Sequence, residues 1–417
     1  MPELSRRLGT VDAVVIGLGS MMGAGVFAAF SPAARAAGAG LLIGLAIAAA
    51  IAYCNATASA QLAAVYPTSG GTYIYGRERL GPWWGFAAGW GFLVGKTASC
   101  AAMALTIGTY ALADPWWAQR LVAVVAVIGL TALNYRGVTK TAALARILLV
   151  CTLVALAAVV IAIALAGVHP SNLGGAGAWS SITMYRVLQS AGLLFFAFAG
   201  YARIATMGEE VRDPARTIPR AIIVAFGIAV VVYLVVGVAV LLAAGPERLA
   251  PSAAPLAEAL RAAGAAPLLP VVAVGAALAS LGALLALIAG VGRTSLAMAR
   301  HRDLPGWLGA VHPRYQVPHH AEIALGVVVC VLAATVDLRG VIGFSSFGVL
   351  IYYAIANASA YTQPAGERRW PRVLNVCGVV GCLVLVATLP WQSVVVGLAV
   401  FAIGLTGRAL FTGPRRG

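Results

Sequence analysis

Runs of twenty or so apolar residues, separated by short polar gaps, repeat along the whole of this chain. A helix needs about 20 predominantly apolar residues to cross a bilayer core. A dozen runs reach or approach that length, at 11–37, 40–65, 82–112, 119–135, 142–167, 187–208, 220–244, 268–298, 321–336, 340–360, 373–389 and 391–411. They are far longer than the roughly ten alternating residues of a membrane-barrel strand. The pattern therefore predicts an all-α membrane protein of about twelve transmembrane helices. The longest polar gaps, 168–186 and 245–267, are too short to build a soluble core, so 1–417 reads as a single transmembrane domain.

Two of the runs are interrupted in the same way. Glycines break the first span at Gly19-Ser20-Met21-Met22-Gly23-Ala24-Gly25 and the sixth at Ala197-Phe198-Ala199-Gly200. Paired interruptions at corresponding places in two halves are the sequence sign of an inverted-repeat transporter, with its binding site between them. A repeat of five spans plus five, 11–168 and 187–360, with two additional helices at 371–411, accounts for twelve.

Glycine costs a helix about 1 kcal/mol against alanine and lets the backbone leave helical geometry. In lipid, the N–H and C=O groups released by such a break must line a cavity or be covered by protein. A ligand can use them. The half-helix starting near Ala24 offers amides and a positive dipole end suited to a carboxylate. The carbonyls of Met21, Phe196, Ala197 and Ala199 can accept from an ammonium, so the two breaks match the two poles of an α-amino acid. The competing reading is that glycines of a chain with 48 of them are surfaces for close helix packing.

Composition agrees with the bilayer: 61% of residues are hydrophobic, 10% are charged, and the mean hydropathy is +0.93. The net charge of +15 does not indicate nucleic-acid binding, because the basic residues fall in short gaps between apolar runs rather than on one soluble face. With the N-terminus inside, the cytoplasmic gaps hold Arg6, Arg7, Arg77, Arg79, Arg136, Lys140, Arg212, Arg216, Arg220, Arg300, Arg302, Arg314, Arg368, Arg369, Arg372, Arg415 and Arg416. The opposite gaps hold only Arg35, Arg120, Arg186, Arg248, Arg261 and Arg339. Lys and Arg are retained on the cytoplasmic side, so both termini are expected in the cytoplasm and the protein in the inner membrane. Ser5-Arg6-Arg7 imitates a twin-arginine signal, but with many spans downstream it reads as the start of a first membrane helix.

One ionisable residue lies deep in a span. Lys96 falls near the middle of the third, with no carboxylate at matching depth in any span. Intramembrane charge is costly and is functional by default; the alternative is a structural lysine bonded to backbone carbonyls. His301, His312, His319 and His320 share one cytoplasmic gap without regular ligand spacing, and no cysteine pair, metal set or catalytic constellation is visible. No cofactor is expected.

Four stretches resemble the amino acid/polyamine/organocation transporter superfamily: Gly19 to Phe27, Tyr66 to Pro82, Phe195 to Ile222 and Arg293 to Pro305. The resemblance implies a LeuT-like five-plus-five inverted repeat with helices 1 and 6 broken. It implies a substrate carboxylate near Gly23, Ala24 and Gly25, and an amino group at the carbonyls of Met21, Phe196, Ala197 and Ala199 beside Gly200, with Phe196 where the family often has an aromatic gate. It also sets Arg146 against a lysine that, in many sodium-independent relatives, stands where others bind an ion; snorkelling to the cytoplasmic interface is the rival reading. The chain departs from the family at Ala202 and Arg203, where many members carry an acidic residue at the former. Arg203 either pairs with Glu210 or faces the cavity.

The expected function is alternating-access transport of amino acids, neutral ones first, without sodium and by proton coupling or exchange. An anionic amino acid or a related amine or polyamine is the alternative substrate. A channel is the alternative of another class, although no continuous polar stripe is visible. The expected partners are the amino acid, protons and the lipid bilayer, with no nucleic acid.

Overall fold

The computed structural model describes residues 8–68, 70–112, 114–136, 142–166, 168–173 and 182–412. Arg6, Arg7, Lys140, Arg415 and Arg416 of the charge argument lie outside them. The described residues are helical throughout, apart from turns, loops and one isolated bridge that pairs Leu8 with Val211. The first apolar run is divided into α1 (Thr10–Met21), α2 (Ala24–Ala28) and α3 (Phe30–Ala37). Then follow α4 (Leu41–Val65), α5 (Thr72–Leu80), α6 (Pro82–Ala111), α7 (Trp116–Tyr135) and α8 (Ala142–Ala166). The sixth run forms α9 (Met184–Phe198) and α10 (Ala202–Ala205). The remainder is α11 (Pro214–Leu249), α12 (Pro255–Ala262), α13 (Leu269–Arg300), α14 (His319–Thr335), α15 (Leu338–Tyr361), α16 (Arg372–Thr388) and α17 (Trp391–Thr412).

Among the described residues, ten helical stretches are long and apolar enough to cross a membrane. Two further apolar helices, α14 and α16, have 17 residues each, about 26 Å at 1.5 Å per residue, which is the short end of what a bilayer needs. The seventh run extends further than its apolar pattern. Pro214 takes the first helical position after Asp213 (φ 45°, ψ 62°), so Arg216 and Arg220 lie on a helical turn preceding the apolar stretch. The gap at 245–267 contains α12, whose Leu256, Ala259 and Leu260 are buried.

Small residues hold the centre together. A Cβ on Gly91 would lie 2.8 Å from the Gly348 carbonyl, and one on Gly348 would lie 3.0 Å from Gly95 Cα, so α6 and α15 cross in backbone contact. Ser99 and Ser345 share a 2.7 Å hydrogen bond on the same seam. Beside it, Asn357 of α15 donates to Asn55 of α4 at 2.6 Å, and the Cys382 thiol of α16 reaches the same oxygen at 3.4 Å.

Candidate functional site

α1 ends where the Met22 N–H closes on the Leu18 carbonyl, and Gly23 then turns the chain with ψ −140° before α2 starts at Ala24. The first N–H groups of a helix lack intrahelical acceptors, and no side chain caps α2 at Gly23. The second interruption is milder: Ala199 to Tyr201 form a single 3-10 turn between α9 and α10, and the Ala199 N–H bonds back to the Phe196 carbonyl. That use of the Phe196 carbonyl was not foreseen from the sequence. The Phe196 side chain is buried.

The two interruptions touch. A Cβ on Gly200 would lie 2.5 Å from Met21 N and from the Ser20 carbonyl group, and one on Gly25 would lie 2.6 Å from Ala197 Cα. Gly23 faces Ala283 of α13 and Met103 of α6, at 2.6 and 3.0 Å from its Cβ position. Met21, Gly23, Ala24, Gly25, Phe196, Ala197, Ala199 and Gly200 thus form one buried cluster, and close packing, the rival reading of the glycines, describes part of it correctly. Gly19 differs, since its Cβ position has nothing within 4 Å.

All four carbonyls expected to receive an ammonium already have donors from the chain itself, Phe196 from the Ala199 N–H and the other three from side chains. The Tyr233 hydroxyl of α11 lies 2.6 Å from the Met21 carbonyl and 2.9 Å from that of Ala197, sharing one hydrogen between the two breaks. Its ring is held edge-on against Phe198, centroids 5.0 Å apart. Lys96 Nζ donates to the Ala199 carbonyl at 2.8 Å, and Tyr353 of α15 reaches the same oxygen at 3.2 Å. Lys96 is only 3% exposed. Among the described residues no carboxylate comes within 4.0 Å of its ammonium.

Arg146 and Arg203 stand apart from this cluster. Arg146 is 55% exposed and pairs with Asp12 at 2.9 Å, nine residues or about 14 Å of helix before Met21. The snorkelling alternative fits that position. Arg203 is 9% exposed; it donates to Thr206 at 2.9 Å and lies 3.9 Å from Glu210, whose carboxylate also binds Arg293 of α13. The pairing with Glu210 is therefore present, although the helix ends at Ala205 and the contact is made across the following turn. The segment after it carries an exposed pair, Arg216 with Asp213 at 3.9 Å. In the histidine gap, the rings of His312 and His319 lie 5.3 Å apart, each against Tyr135.

Tyr233 and Tyr353 were missed in the sequence. For Tyr233 the signal available was a lone tyrosine in a valine-rich run, since a phenol at membrane depth must find a partner. A second missed group lies away from the breaks. Asp303, after α13, is nearly fully buried and accepts from Tyr73 at 2.8 Å, Arg77 at 3.1 Å and Arg408 of α17 at 3.0 Å.

The family profile described as amino acid permease matches residues 8–405. The chain is 61% identical over 408 residues to an uncharacterized transporter of Mycobacterium tuberculosis, covering 97% of this chain and 90% of that protein. It is 25% identical over 439 residues to a branched-chain amino acid permease of Bacillus subtilis, covering 97% and 92%. A chloroplastic cationic amino acid transporter of Arabidopsis thaliana is 26% identical over 423 residues, covering 94% and 71%.

Proposed function

This chain belongs to the amino acid permease family, and from that premise we propose that it is a sodium-independent, alternating-access carrier of neutral amino acids across the cytoplasmic membrane. The chain is a multi-pass membrane transporter. In the proposed architecture, the ten longer spans and the two shorter apolar helices make twelve crossings. The first repeat is 11–168, the second is 187–360, helices at 371–411 are additional, and both termini are inside. The observation that carries the reading is the contact of the two interruptions, Gly25 on Ala197 and Gly200 on Met21, which gathers the Met21, Ala197 and Ala199 carbonyls beside the start of α2. Amides near Gly23, Ala24 and Gly25 take the carboxylate, and those carbonyls take the ammonium.

Neutral side chains follow from the absence of a carboxylate around the cluster among the described residues, because a cationic side chain would bring a second positive charge, beside the substrate's own ammonium, into a low-dielectric cavity. Arg203 is engaged by Thr206 and Glu210 and is not needed as a ligand for substrate. A second reading, an anionic amino acid, is favoured by one observation, the buried Lys96 without a carboxylate partner among the described residues. Competition against labelled L-leucine in proteoliposomes by alanine, glutamate and arginine tests the choice. Alanine is expected to compete strongly and arginine to compete at least about tenfold less well, a difference of 1.4 kcal/mol. Strong inhibition by arginine alone contradicts the charge argument. Inhibition by glutamate that is lost in Arg203→Ala makes Arg203 a specificity residue.

A further inference from the structure

Ala199 is the most heavily used carbonyl at the interruption. It receives the Lys96 ammonium at 2.8 Å and the Tyr353 hydroxyl at 3.2 Å, which fills both lone pairs of one oxygen. On the reading above, the same oxygen is one that the substrate's ammonium uses. Two ammonium groups around one carbonyl, away from water, repel strongly. One must leave or lose its charge.

Among the described residues, no carboxylate pairs with Lys96. Its own helix presents Cys100 one turn on, α15 presents Tyr352 and Tyr353, the 3-10 turn presents Tyr201, and α11 presents Tyr233 across the break. α2 has no ionisable residue, and α13 has none between Leu269 and Gly292. α5 contributes Tyr73 and Tyr75, engaged by Asp303 and by the Ala205 carbonyl. The other charged groups on elements packed against α6 lie in the outer turns of their helices: Arg77, Glu78 and Arg79 on α5, Arg120 on α7, Arg293 and Arg300 on α13, Glu322 on α14, Arg339 on α15, and Arg408 on α17 bound to Asp303. Arg203 is held by Thr206 and Glu210.

We propose that the substrate's amino group and the proton on Lys96 compete for the Ala199 carbonyl, so that each substrate bound expels one proton. Lys96 passes from ammonium to neutral amine, the proton goes to solvent, and the substrate's ammonium takes the vacated hydrogen bond. The empty carrier then returns with Lys96 protonated and its buried charge satisfied by Ala199. Substrate and proton therefore cross in opposite directions, and Lys96 is a proton-binding site linked to the substrate site. This inference rests on the proposed substrate site.

The test is L-leucine binding to the purified full-length protein in weakly buffered detergent with a pH indicator, repeated across pH. Linkage predicts about one proton released per leucine bound, and affinity that strengthens about tenfold per unit rise in pH until Lys96 is already neutral in the empty protein. The 2-oxo acid of leucine, which has no ammonium, releases none. Lys96→Met loses the pH slope. Leucine binding with no proton release, binding that strengthens as pH falls, equal release by the 2-oxo acid, or an unchanged slope in Lys96→Met each overturns the competition and leaves the site assignment standing. If Lys96→Met does not fold, the proton count of the unmodified protein and of the 2-oxo acid decides alone. Failure of every amino acid to bind at any pH removes the site assignment and the competition together.

Discussion

Gly25 and Gly19 are six residues apart in one interrupted span, yet substitution meets opposite surroundings. An alanine Cβ at Gly25 would stand 2.6 Å from Ala197 Cα, a backbone atom with little room to yield, whereas at Gly19 it meets nothing within 4 Å. Overpacking of this kind costs about 1–3 kcal/mol, so Gly25→Ala is expected to lower L-leucine uptake about tenfold or more while the protein still inserts. Gly19→Ala is expected to keep uptake within about twofold, in line with substitutions that touch nothing. Uptake assays on equal amounts of inserted protein check both. Normal uptake by Gly25→Ala would show that α2 and α9 do not need this contact. Because Gly25 packs against backbone, its loss reports the fit between the two interruptions rather than the amide alone.

At the scale of elements, Asp303 ties three of them. Tyr73 and Arg77 come from α5 and Arg408 from α17, whose guanidinium also lies over the rings of Trp83 and Phe86 at 4.5 and 5.0 Å. Burial, reinforced by the hydrogen bond to Asp303, pushes the Tyr73 phenol well above its ordinary range. Its contribution to stability is therefore fully present below about pH 10, the ordinary tyrosine pKa, and is lost only as pH rises above that. Removing one partner of a buried ion pair costs about 3–5 kcal/mol. Arg77 can turn to solvent, but Arg408, 5% exposed, cannot readily do so. Asp303→Asn is expected to lower the melting temperature in detergent clearly, while Arg146→Ala, which breaks an exposed pair with Asp12, changes it little. Equal melting of Asp303→Asn and the parent contradicts the clamp.

The elements themselves were largely legible, because apolar run length is a direct requirement of the bilayer and glycine punctuation marks where the first and sixth runs break. The ends were less so. Pro214 starts α11 ahead of its apolar stretch, and α12 lies in a gap that hydropathy reads as a loop. At the site, the glycines and Lys96 could be singled out from sequence, since each departs from what an ordinary span tolerates. The partners could not. That Tyr233 joins the Met21 and Ala197 carbonyls, or that Lys96 meets Ala199 rather than a carboxylate, depends on which faces of α6, α9 and α11 meet. Arg146 shows the same limit in reverse, since matching it to a family position did not reveal that Asp12 holds it near the end of α1.

Across the whole molecule, a close-packed seam of α6 on α15 adjoins a pair of interruptions that share donors from α6, α11 and α15. An alternating-access carrier, as proposed, moves one substrate per conformational cycle, and where its empty return is slow, substrate on the far side speeds the return by loading it. A channel has no such cycle, and its flux rises with concentration without that effect. The most direct measurement is entry of labelled L-leucine into sodium-free proteoliposomes that contain or lack unlabelled L-leucine inside. Sodium-independent alternating access predicts saturable entry that is accelerated by internal leucine and unaffected by adding sodium. Entry that does not saturate and ignores the internal amino acid, or entry that strictly requires sodium, contradicts it.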